Sequence, residues 1–152
     1  MSHASVSLRG QLALEIRDRH GRLRGGLRRH NRVLAAGRAH VAASLVGEVR
    51  NYGFSIAVGG NPGRGEDDAL TDLLSPLERL PVEEVANDGD RLVCKAAWVA
   101  DEARKLGESG VILHYENRGS RTRHERLYNR AVIDPVAEVA AGATVTFTWP
   151  IT

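Results

Sequence analysis

The run from Ile56 to Leu70, IAVGGNPGRGEDDAL, gathers the most chemically suggestive residues of the chain. Gly59, Gly60, Gly63 and Gly65 precede Glu66, Asp67 and Asp68. A phosphate-cradling loop would close on Lys-Ser or Lys-Thr and open a helix whose free N–H groups face the anion. Three acids in that place repel a phosphate. A calcium loop needs about six to eight oxygens from alternating positions. Asn61, Glu66, Asp67 and Asp68 do not supply that alternation. The remaining reading is a corner that launches a long excursion. The glycines permit positive φ, Pro62 fixes one dihedral, and Asp67 or Asp68 can cap a turn beginning at Ala69.

Other constellations are equally spare. Histidines stand at positions 3, 20, 30, 40, 114 and 124, with no i, i+4 pair, no HExxH and no grouping with Cys94. This gives no zinc pattern, and His40 is expected at a surface or interface. A serine nucleophile on a sharp turn needs G-x-S-x-G; the nearest fragment, Gly107-Glu108-Ser109-Gly110, has the wrong spacing. The pairs Glu83-Glu84 and Asp67-Asp68 sit in polar stretches where a solvated face is the default. Arg118, Arg121, Arg123, Arg126 and Arg130 flank a hairpin tip, where alternate positions can grip a phosphate or a partner's carboxylates. Neither catalysis nor a cofactor is expected.

The elements that would position these residues are mostly strands. SVSLRGQLALEIR (5–17) alternates, with Gly10 as a possible bulge, and DRHGR turns at His20-Gly21 into LRGGLRRHNRVL. VLAAGRAHVAASLV (33–46) is Ala-rich, with Leu34, Val41 and Leu45 roughly on one face, Asn31 as a candidate N-cap and Gly47 as C′ residue; it is the single expected helix. Pro76 and Pro81 make DLLSPLERLPVEEV an irregular crossover. RLVCKAAWVAD and GVILHYE alternate, NRGSRTRHER reads as a polar loop, and LYNRAVI and ATVTFTWPIT are further strands. The fold class is therefore mainly β: an antiparallel β-sandwich or barrel-like domain with one helix near 33–46 and a long irregular crossover at about 61–86.

A chain of 152 residues is expected to form one domain, 1–152, with residues 1–30 as a basic hairpin or arm. Cys94, the one cysteine, lies in a strand-like run and reads as buried rather than reactive. MSHASVSLRG lacks an apolar core and no run approaches 18 apolar residues, so synthesis in the cytoplasm with no membrane span is expected. Net charge is +2, but it is unevenly spread: residues 1–50 hold ten arginines against three acids, and residues 51–110 hold twelve acids against six bases. Such a division marks either a nucleic-acid binder or a subunit whose basic part docks on a neighbour's acidic face. With few aromatics to stack on bases, docking between subunits is the favoured reading. Arg28, Arg29 and Arg32 would then meet Glu66, Asp67 and Asp68. Leu73, Leu74, Leu77, Leu80 and Val82 would add apolar contact, and Arg121 and Arg123 a further one.

Laid end to end, the segments resemble a more specific pattern. Asn31, Val33 and Gly37 open the helix, and Ile56–Gly60 form an I-A-V-G-x-G corner. Asp68, Ala69 and Leu70 follow, then Arg130, Ala131, Val132 and Pro135, and Thr144–Thr152 close the chain. This resembles small structural proteins of phage tails and related tailocin or contractile-injection particles. That family usually has an E-A-G-L-F-like turn, where this chain has Glu108-Ser109-Gly110-Val111. The resemblance implies a non-enzymatic subunit of tail, collar, baseplate or fibre attachment, forming a ring or trimer with itself and other particle subunits in the virion. Two alternatives stay open. One is a small nucleic-acid-binding accessory protein using the Arg-rich first third. The other is a carbohydrate-binding module at a fibre tip, which would want exposed aromatics such as Tyr52, Tyr115 and Tyr128.

Overall fold

The computed structural model describes residues 11–60, 69–89 and 91–151. In chain order the elements are β1 (Gln11–Arg17), β2 (Leu23–His30), β3 (Arg32–Val33), α1 (Ala35–Leu45), β4 (Val49–Gly59), β5 (Pro76–Pro81), β6 (Glu84–Asp88), β7 (Arg91–Val99), β8 (Arg104–Asn117), β9 (Arg123–Leu127), β10 (Asn129–Val139) and β11 (Thr144–Ile151). They form two antiparallel sheets, as the strand alternation predicts. One has the order β2-β1-β11-β7-β6; the other runs β3-β10-β8-β4-β5, with β9 also on β8. Consecutive residues point to opposite faces of a strand, so alternation alone selects the inward set.

The core lies between the sheets. Leu12, Leu14, Val145, Phe147 and Trp149 face Ile56, Val58, Leu106, Val111 and Ile133, and Trp98 is also buried. Each such side chain contributes about 1.5–3 kcal/mol. β11 is central, held between β1 and β7, so the C-terminal segment closes the core. The hairpin at His20-Gly21 forms with Gly21 at φ 80°, and its strands belong to the sheet through β1 and β11. Val6, Leu8 and Gly10 lie outside the described residues.

Helix α1 starts two residues later than the sequence suggests. Its cap position is Leu34, which makes no side-chain cap bond, in place of Asn31; the Leu34 N–H donates to the Tyr128 carbonyl at 3.0 Å. Gly47 ends it at φ 77°, the left-handed C′ conformation. A Cβ on Gly37 would lie 2.2 Å from the Tyr128 carbonyl oxygen, so this glycine lets the helix approach the chain between β9 and β10. Leu45 is 83% exposed, although the helical spacing places it with the buried face. His40 is buried at 1% exposure and its Nε2 lies 2.5 Å from Asn51 Oδ1, which corrects the surface position expected for it.

The crossover is more regular than its prolines suggest. Pro76 and Pro81 are the first and last residues of β5, an edge strand of the six-stranded sheet, where a missing N–H is tolerated. β6 follows at once, so much of the described part of the expected irregular segment 61–86 is strand, and residues 61–68 lie outside the described residues. Within NRGSRTRHER, β9 likewise replaces the later part of the polar loop.

Candidate functional site

β8 carries a row of polar residues along the six-stranded sheet. Its pairing with β4 and β9 places Glu108, Gly110, Ile112, His114 and Glu116 on one face, the side away from the inter-sheet core. The connection before β5 covers one end of that row. Leu34, Ala57, Leu73, Ile112 and Leu127 form a small second apolar cluster there. Leu73 and Leu80, expected at a partner contact, are instead 5% and 4% exposed, Leu80 in the main core. Leu74 and Leu77 stay exposed, and Val82 packs half-buried on the core. Alternation within β5 and the compact connection before it account for the split.

Beneath that cover sits a closed polar cluster. The Glu108 carboxylate is fully buried and accepts hydrogen bonds from the Leu74 N–H (2.9 Å), the Ser75 N–H (2.7 Å) and Arg130 Nε (3.0 Å). A Cβ on Gly59 would lie 2.2 Å from Glu108 Cγ. Gly59 therefore serves close approach, not the positive φ expected of the corner, since neither Gly59 nor Gly60 has positive φ. Neighbouring Asn129 Oδ1 accepts from the Val111 N–H at 2.9 Å, and Ser109 Oγ donates to the Ala57 carbonyl at 2.8 Å. Glu108-Ser109-Gly110 is thus the middle of a strand, where the resemblance implies a turn. The cluster ties β8, β10 and the crossover together.

Farther along the row, three side chains make an arrangement that sequence spacing hides. Ser55 Oγ lies 2.5 Å from His114 Nε2, and His114 Nδ1 lies 3.5 Å from Glu125 Oε1. Arg79 in turn holds the other oxygen of Glu125. The order hydroxyl–imidazole–carboxylate is that of a hydrolase triad, but two features oppose that chemistry. Ser55 sits within the sheet on β4, between β5 and β8, whereas a serine nucleophile is presented on a sharp strand-to-helix turn. Burial, and then the Arg79 charge, push the His114 pKa below its ordinary value, which disfavours the imidazolium that a general base must become. Sequence placed only His114 outward on an alternating strand and left Glu125 in a polar loop, because their partnership depends on the β4-β8-β9 register.

The open end of the row is basic. Arg50 on β4 stands opposite Glu116, which stands opposite Arg123 on β9. Arg123 lies over the Tyr52 ring at 4.9 Å, a cation–π contact. Arg121 and Arg118 occupy the turn between β8 and β9. Of the three tyrosines, Tyr52 is 47% exposed while Tyr115 and Tyr128 are buried, which leaves a sugar-binding face one aromatic ring. Arg130, grouped with these arginines by sequence, is instead 3% exposed and paired with Glu108.

The remaining contact residues divide between the sheets. Arg28 and Arg29 lie on β2, at the edge of the five-stranded sheet, whereas Arg32 lies on β3 at the edge of the other. Glu66, Asp67 and Asp68 lie outside the described residues. Among the described residues no three His, Cys, Asp or Glu side chains group as a metal site, and no helix is long and apolar enough to cross a membrane. Cys94 is buried, and its thiol is pushed up to about 11 by burial. No protein-family model, curated protein or solved structure matches the chain.

Proposed function

We propose that the chain is a non-enzymatic structural subunit that joins copies of itself into a ring or trimer within a phage tail or tail-like particle. The observation that carries this reading is the opposite charge on two edges of one sheet. β2 at one edge, LRGGLRRH, has three arginines and no acid. β6 at the other edge, EVAND, has two acids, follows Glu83 and has no base. Among the described residues β2 pairs with β1 alone and β6 with β7 alone. Unpaired edges invite a further strand. Like edges would set arginine against arginine or acid against acid, which disfavours a two-fold pairing. Unlike edges attract, and a head-to-tail contact of this kind forms a ring where the rotation between copies closes. Four antiparallel steps leave β2 and β6 pointing the same way, so copies related by an axis along the strands would join them as a parallel pair. The motif resemblance over most of the chain supports the same reading.

A charge-swap experiment tests it. Arg24, Arg28 and Arg29 are changed to Glu, and the size of the protein is followed by light scattering at low and high salt. The variant is expected to assemble less than the parent, and a companion Glu83→Lys, Glu84→Lys change is expected to restore assembly. A reversed variant that assembles as the parent does at every salt concentration would refute the edge contact.

A further inference from the structure

We propose that the turn joining β8 to β9 is a binding site for a phosphate dianion. Arg50, Glu116, Arg118 and Arg121 line an open hollow of about 530 Å³ there. Three guanidiniums against one carboxylate leave it with a net charge of two positive units. The turn is held firmly by its backbone. The Arg118 N–H donates to the Glu48 carbonyl (3.0 Å), the Arg121 N–H to Asn117 (2.7 Å), and the Asn117 N–H to Thr122 (3.0 Å). Arg121 is the one non-glycine residue with positive φ among the described residues, at 57°. A glycine or asparagine would occupy that conformation with less strain, so the arginine at this turn stands against a local conformational preference. Among the described residues none of Arg50, Arg118 and Arg121 forms an ion pair within 4.0 Å. By contrast, Arg17, Arg24, Arg79 and Arg104 each reach a carboxylate.

The ligand class follows from the number and placement of the donors. A carboxylate offers two oxygens in one plane, which a single guanidinium serves in a bidentate pair. Three guanidiniums carried by a strand and by a turn suit a group with at least three acceptor oxygens. The net charge of the hollow matches a dianion, so inorganic phosphate and a phosphomonoester share the required chemistry.

The test titrates inorganic phosphate into the full-length protein, following backbone amides by two-dimensional NMR at constant ionic strength, with chloride as the control and phosphoserine as a second probe. Saturable shifts confined to residues around 116–123 and Arg50, with phosphate and not chloride, are expected. Tighter binding of phosphoserine would assign the source to a monoester, and tighter binding of inorganic phosphate to the free ion. Arg50→Gln and Arg121→Gln should each weaken binding about tenfold or more. Arg121→Gly should lose the site while melting no lower than the parent, because it relaxes the turn. Shifts that chloride reproduces, shifts that never saturate, or undiminished binding in both glutamine variants would overturn the site.

Discussion

The two ends of one face of β8 carry the same residue type in opposite states. Glu108 is fully buried, with three hydrogen-bond donors fixed on its carboxylate. Glu116 is only half-buried and, among the described residues, forms no ion pair. Register places both on the same side of the strand, so the difference comes from what covers them. The segment around Leu73, Leu74 and Ser75 seals the first end, and the second opens at the arginine-lined turn. In the sealed site the desolvation of two charges must be offset by geometry and full hydrogen bonding. At the open end water screens the charges, and the guanidiniums stay available to a ligand.

The sharpest way to break this contrast is to remove one partner from the sealed end. Arg130→Met leaves the Glu108 carboxylate buried with its two backbone donors alone, and a loss of about 3–5 kcal/mol is expected in urea unfolding. Glu116→Gln at the open end should stay within about 0.5 kcal/mol of the parent. A similar loss from both would mean that cover does not decide the energetics. The next effect is steric: Gly59→Ala forces a Cβ against Glu108, and about 1–3 kcal/mol of destabilisation is expected in the same assay.

Between the ends lies His114, whose contribution depends on pH. Its folded pKa is below the ordinary 6.5, so the unfolded chain binds the proton more readily. Stability from this group is therefore fully present above 6.5 and is lost as pH falls through the folded value. His114→Gln should flatten that part of the stability–pH profile; an unchanged slope would place its origin elsewhere. The smallest signal is chemical. Cys94, buried with a thiol pKa of about 11, should resist a thiol reagent in native buffer and react fully once the chain is denatured.

Much of the fold was legible because strand alternation is a local property. Leu12 and Leu14 in β1, Cys94, Ala96 and Trp98 in β7, and Val145, Phe147 and Trp149 in β11 are the buried positions that every-second-residue alternation picks out of their segments. Where prolines bound β5, sequence suggested irregularity, because a proline's tolerance depends on whether its strand is at an edge. The corner glycines were recognised, but the reason for Gly59 was not, since the side chain it accommodates lies on another strand. Glu108 and Arg130 were misplaced for the same reason: nothing adjacent in sequence announces the crossover that covers them. Ser55, His114 and Glu125 met only through the register of three strands, including the irregularity between Asn51 and Gly53.

The size of the purified chain in solution tests the assembly reading most directly. Light scattering across a concentration and salt series should give a mass that is a fixed multiple of the 16.5 kDa chain, with dissociation promoted by salt and by reversal of the β2 arginines. A single chain at every concentration and salt level would contradict a self-assembling structural subunit.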